Sequence, residues 1–173
     1  MNSNQADVGK QEILIVDDTP NNLRFLSTML LEQGYEVRKA IDGQMALKSV
    51  QLEPPDLILL DIRMPDMNGY EVCKKLKSEA QTKDIPVIFL SALDEPIDKV
   101  MAFDVGGVDY ITKPFQFEEV LARVKTHLIM RQLQKQLQEQ NERLQQEIRQ
   151  RQQVEAELRQ ANERLQRFSR YVK

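Results

Sequence analysis

Four apolar runs in this 173-residue chain end on side chains that can do chemistry. Asp17 and Asp18 follow "EILIV", Asp61 follows "DLILL", Ser91 follows "IPVIFL", and Lys113 with Pro114 follows "VDYIT". Three carboxylates held close together repel one another, and such a cluster persists only when a cation neutralises it or a proton stays on. An all-oxygen set suits a hard divalent ion, and Mg2+ fits a site that keeps waters and shares an oxygen with a phosphate. Lys113 adds a point charge suited to a phosphoryl oxygen, and Ser91 a hydroxyl donor. With such cations spreading the charge of the transferring group, a carboxylate is a competent nucleophile toward phosphorus. An acidic pair after a strand is ordinary loop chemistry. The whole set has no evident packing reason.

These groups can act together only if the fold brings the ends of the runs to one edge. "EILIV" (12–16), "YEVRKA" (35–40), "DLILL" (56–60), "IPVIFL" (85–90) and "VDYIT" (108–112) read as strands. Between them "NNLRFLSTMLLEQ", "GQMALKSVQ", "GYEVCKKLKSE" and "PIDKVMAFDVG" space apolar residues by three and four, as helices do. Strands 1, 3 and 4 are nearly continuous apolar runs, which predicts burial on both faces of a parallel sheet covered by helices. The fold class is α/β, open and doubly wound, with its site outside the carboxyl ends of the strands. The buried third strand then fixes Asp61, and the loop carrying Pro65 and Gly69 leaves its oxygen accessible.

Composition bounds the possibilities. No apolar run approaches the ~18 residues of a membrane span, and the polar start "MNSNQADVGK" carries no secretory signal, so the expected compartment is the cytoplasm. The lone Cys73 reads as a small buried hydrophobe. A haloacid-type phosphatase would space its carboxylates D-x-D, whereas Asp17 and Asp18 are adjacent, and no P-loop is present. The single His127 lies along the last helix and reads as a surface residue rather than a metal ligand or phosphodonor.

"LIVDDTPNN", "PDLILLDIRMPDMNGYEVC", "IPVIFLSA" and "DYITKPF" together resemble the receiver domain of bacterial two-component response regulators, over roughly residues 11–128. The resemblance implies a flavodoxin-like five-stranded parallel sheet in the order 2-1-3-4-5. It implies that Asp61 takes a phosphoryl group from the phosphohistidine of a sensor histidine kinase or phosphotransfer protein. Mg2+ would be held by Asp18, Asp61 and the backbone carbonyl of Arg63, with Asp17 acting partly through water. Lys113 would pair with the phosphoryl group, Ser91 would hydrogen-bond it, Tyr110 would change rotamer with Ser91, and Pro114 would be cis. Arg63 and Leu93 stand at positions that influence phosphoryl lifetime in that family. Neither orients an attacking water well, which predicts slow self-dephosphorylation.

All six Gly and all seven Pro precede Phe115, which predicts one long helix beyond it. Its first stripe, Val120, Leu121, Val124 and Leu128, belongs to the sheet. From residue 129 a heptad seam follows, through Met130, Leu133, Leu137, Gln140, Leu144, Glu147, Arg151, Val154, Leu158, Ala161, Leu165, Phe168 and Val172. A competing register runs through Leu137, Asn141, Leu144, Ile148, Leu158, Asn162 and Leu165. Either predicts a parallel homodimer through helix 5 and a coiled coil, since a long helix charged on all faces gains stability by packing its leucines on a partner. The residues from 118 on carry 12 Lys or Arg and 8 Asp or Glu, but the signs are mixed and aromatic residues few, so no direct nucleic-acid contact is expected. The ending "FSRYV" resembles the segment leading into class III nucleotide cyclases, which raises an output domain beyond the coil. The alternatives are an output carried by the coil itself, a constitutive coiled-coil scaffold with a vestigial receiver, and an enzyme that turns over small phosphate esters with the same residues.

Overall fold

The computed structural model describes residues 10–93 and 98–172. Most of the polar N-terminal tail and the start of the fourth helical stretch, at Pro96 and Ile97, lie outside them. The elements alternate as β1 (Glu12–Val16), α1 (Pro20–Glu32), β2 (Glu36–Ala40), α2 (Gly43–Leu52), β3 (Leu57–Asp61), α3 (Gly69–Ser78), β4 (Val87–Ser91), α4 (Lys99–Asp104), β5 (Asp109–Thr112) and α5 (Phe117–Tyr171). All strands pair in parallel, in the order β2-β1-β3-β4-β5. This is the flavodoxin-like fold.

The period-two alternation of the strands divides the core between the two faces of the sheet. Leu14, Val16, Ile58, Leu60, Val87 and Phe89 face α2 and α3, meeting Ala46, Val50, Val72, Cys73 and Leu76. Ile13, Ile15, Leu57, Leu59, Ile88 and Leu90 face α1 and α5, meeting Leu23, Leu26, Leu30, Val120, Val124 and Leu128. Each fully buried Val, Leu, Ile or Phe among them stabilises the fold by roughly 1.5–3 kcal/mol. β3 and β4 are buried along their whole length, while β2 and β5 form the edges. Cys73 is fully buried, and burial pushes its thiol up to about 11.

Local signals set the helix starts. Pro20 opens α1 at the position where a missing N–H costs nothing. Asp42, Asn68 and Asp98 cap α2, α3 and α4 by accepting from the N–H groups of Met45, Glu71 and Met101 at 2.7, 2.9 and 3.0 Å.

Asp61 and Ser91 end β3 and β4 as paired residues: Asp61 registers with Leu90, and Ser91 with Thr112. One detail differs from the sequence reading. His127 is not a surface residue. Its Nε2 lies 2.9 Å from Asp109 Oδ2, and its side chain is only 14% exposed. Asp109 also accepts from Arg123 Nη1 at 2.7 Å, so β5 and α5 are pinned together by one carboxylate. Burial opposes the charge on Asp109, yet the donors of His127 and Arg123 outweigh it and hold the carboxyl below its usual range.

The chain divides into two compact units, Met1–Arg131 and Gln132–Lys173. The second is a stretch of α5 whose leucines are all more than half exposed, from Leu144 at 55% to Leu165 at 67%. Among the described residues no helix is long and apolar enough to cross a membrane.

Candidate functional site

The strand order reverses between β1 and β3: β1 is followed in sequence by a neighbour on one side, and the chain then crosses over to place β3 on the other. A crevice opens at the carboxyl ends of such strands, and there Asp17, Asp18 and Asp61 meet with carboxylate oxygens within 4.8 Å of one another. Asp17 is fully buried and Asp61 is 3% exposed, whereas Asp18 faces solvent. Lys113, carried by the segment after β5, reaches both buried acids. Its Nζ lies 3.2 Å from Asp61 Oδ1 and 3.3 Å from Asp17 Oδ2.

Asp17 is held from its own side of the site. Its Oδ1 accepts from the Thr19 N–H at 2.8 Å and its Oδ2 from Asn22 Nδ2 at 3.1 Å. Ser91, also buried, places its hydroxyl 3.5 Å from that of Thr112, and the Lys113 N–H donates to the Ser91 carbonyl at 2.8 Å. The Lys113–Pro114 peptide is cis. Tyr110 is half-buried on β5, and Lys99 Nζ stands 5.3 Å from its ring centroid. Arg63 lines the same cleft, of about 460 Å3, together with Asp18, Asp61, Tyr70, Ser91 and Lys113. The sequence reading did not single out Asn22, Thr112 or Tyr70. Asn22 carried a signal all the same, one turn into the helix that follows the acid pair.

Burial, and then the charge of Asp17, push the Asp61 carboxyl up to about 6 against the pull of Lys113. One lysine does not balance three carboxylates. The donor set is all hard oxygen with no imidazole or thiolate in it, so the residues present fit Mg2+.

The crowding has a consequence for stability. A carboxyl raised in the folded state costs nothing while it is protonated in both states, below about pH 4. From there up to the folded value of about 6 the unfolded chain gives up this proton while the folded state keeps it, so stability falls as pH rises and the loss is complete above about 6. Asp61→Asn removes that loss. In metal-free buffer at pH 7.5 the variant is expected to be more stable than the parent by on the order of 1–2 kcal/mol, after a discount for the open side of the cleft. Urea melts at pH 7.5 and 4.5 check this: the difference should shrink to less than half at the lower pH, and a variant less stable at pH 7.5 would contradict it.

The family model for the response regulator receiver domain matches residues 13–125. The chain belongs to that family. It is 46% identical over 117 residues to RpaA of Synechocystis, a DNA-binding transcriptional regulator, covering 67% of this chain and 48% of that protein. It is 45% identical over 118 residues to PhoP of Bacillus subtilis, the alkaline phosphatase synthesis regulator, covering 68% and 48%. Among solved structures, the chemotaxis protein CheY4 of Vibrio cholerae aligns with a TM-score of 0.65 at 32% identity, covering 68% of this chain and 98% of CheY4. The chain spans between 25% and 50% of the length of the curated relatives it matches. What this receiver domain shares with them is therefore the receiver portion. The DNA binding named for RpaA is a property of that protein.

Proposed function

We propose that the chain is a phosphoacceptor signalling module of a two-component relay, with Asp61 as the acceptor. The observation that carries the reading is a buried carboxylate at the end of β3, 3.2 Å from a lysine ammonium and beside two further acids, opening onto a cleft. An Asp61 oxygen attacks the phosphorus of a phosphohistidine on a sensor histidine kinase or phosphotransfer protein. The P–N bond breaks, a P–O bond forms, and the departing imidazole takes up a proton. Asp17, Asp18, Asp61 and the Arg63 carbonyl would hold Mg2+, which when bound neutralises charge on the phosphoryl oxygens. Lys113 exchanges its contact with Asp61 for one with the incoming phosphoryl group. The Ser91 hydroxyl, close to that of Thr112, donates to the same group, and Tyr110 follows Ser91. Catalysis here is positioning and electrostatics, which the buried strand ends supply without motion of the scaffold.

The product stays on the protein, so the chain acts once per phosphoryl group rather than as a turnover enzyme. Slow loss of the group fits Leu93, 76% exposed, and Arg63, neither of which is a residue that orients an attacking water well. The state of Asp61 is read out through the α4, β5 and α5 face and the helix beyond residue 129, pairing with a second copy in the cytoplasm. The test is incubation of the protein with a small acyl phosphate and Mg2+. One phosphoryl group per chain is expected on the parent and none on Asp61→Asn, with the fold retained by circular dichroism. Equal labelling of the two would overturn the assignment, and release of many equivalents of phosphate per chain would make the protein a phosphatase.

A further inference from the structure

The stretch of α5 in the second unit carries a column repeating every seven residues: Leu137, Leu144, Arg151, Leu158, Leu165 and Val172. At 3.6 residues per turn, two flanks lie roughly 50° to either side of it. One holds Gln140, Glu147, Val154, Ala161 and Phe168; the other holds Asn141, Ile148, Glu155, Asn162 and Ser169. The apolar residues change sides. Ile148 faces Glu147 across the column before Arg151, while Val154 and Phe168 face Glu155 and Ser169 after it. The segments "QLQEQNERLQQE" and "ELRQANERLQRF", three heptads apart, share their leucines and asparagine but replace Gln140 and Glu147 by Ala161 and Phe168.

Resting on the reading that α5 pairs with a second copy, we propose that two chains pack in parallel and in register along a face that changes flank at Arg151. The face runs through Leu137, Asn141, Leu144 and Ile148 before that residue, and through Val154, Leu158, Ala161, Leu165 and Phe168 after it.

Three observations support a second copy as the occupant. In parallel register Asn141 meets Asn141, and each amide finds a donor and an acceptor, with Leu and Ile at the adjacent core positions of a two-stranded coil. An antiparallel pairing about Arg151 would set Asn141 against Ala161 and leave its amide unpaired. Along the proposed face the flanking pairs between chains are Gln140 with Gln145, Glu147 with Gln152, Gln150 with Glu155, Glu157 with Asn162 and Arg164 with Ser169, so none of these pairs sets like charges together. Finally, the crossing point can hold a charge. Arg151 Nη2 lies 3.0 Å from Glu147 Oε1 on its own helix, with its side chain 80% exposed, so the guanidinium stays at the rim while its stem covers the core. The spacing of three and three from Ile148 through Arg151 to Val154 overwinds the coil locally there.

Disulfide formation at adjacent positions reads the face directly, because bridging needs Cβ atoms about 3.5–4.5 Å apart. The full chain is prepared as Gln140→Cys, Asn141→Cys, Ala161→Cys and Asn162→Cys; the native Cys73 is buried and does not compete. Under mild oxidation, covalent dimers are expected at 141 and 161 and lost at 140 and 162. Dimers at 140 and 161, or at 141 and 162, would mean one unbroken flank and overturn the proposal. No covalent dimer in a protein of dimeric mass would mean antiparallel pairing and overturn it too. A monomeric mass would instead remove the pairing itself, and with it the reading of the coil.

Discussion

Lys113→Ala is expected to slow phosphoryl transfer to Asp61 by about 10²–10³-fold, the scale on which one preorganised donor aimed at developing charge contributes. The lysine is the only ammonium within 3.5 Å of the acids among the described residues, touching Asp61 and Asp17 at nearly equal distances. When phosphorus approaches Asp61, that ammonium is already in place and needs only a short swing to a phosphoryl oxygen. Alanine leaves the divalent ion to neutralise the transferring group alone. Affinity for Mg2+ should not fall, because removing a cation from a cluster of three carboxylates leaves more negative charge for the ion. A time course of labelling at several Mg2+ concentrations separates the two effects. A rate within threefold of the parent would show that Lys113 only balances buried charge.

Gly69→Ala should be nearly as damaging, through sterics rather than charge. A Cβ at that position would stand 2.4 Å from the Asp61 carbonyl oxygen and 2.9 Å from Ile62 Cα, and the Gly69 N–H donates to the Ile62 carbonyl at 2.8 Å. These neighbours are backbone, so either the start of α3 or the end of β3 has to move. The expected cost is about 1–3 kcal/mol of stability, with phosphorylation reduced because the strand end that aims Asp61 is displaced. Gly34→Ala is the control. Gly34 has φ of +90° and nothing within 4 Å of an added Cβ, so it should lose about 1–2 kcal/mol while labelling at the parental rate. Matching losses of labelling in both variants would point to general destabilisation.

Much of this site is legible in the amino-acid sequence, for a physical reason. A carboxylate at the end of a fully apolar run is conspicuous, because burial is costly unless something answers the charge. That makes Asp17 and Asp61 visible, and parallel strands force these ends, with Ser91 at the end of β4, to one edge. The groups that hold them are less visible. Thr112 matters only because β4 and β5 register Ser91 against it, and register does not show in one strand's pattern. His127 reads as a surface residue because a helical stripe says nothing of what the neighbouring strand presents, here Asp109. The exposed seam of α5 is legible as a period but not as a face, since two flanks share one leucine column.

If Asp61 is the acceptor, phosphate must end up on that residue. The most direct measurement is to incubate the parent chain with acyl phosphate and Mg2+, reduce the acyl phosphate with borohydride, and map the reduced residue by peptide mass spectrometry. A single homoserine is expected, at position 61, absent when Mg2+ is withheld. Reduction at Asp17 or Asp18, or at no carboxylate, would contradict the assignment.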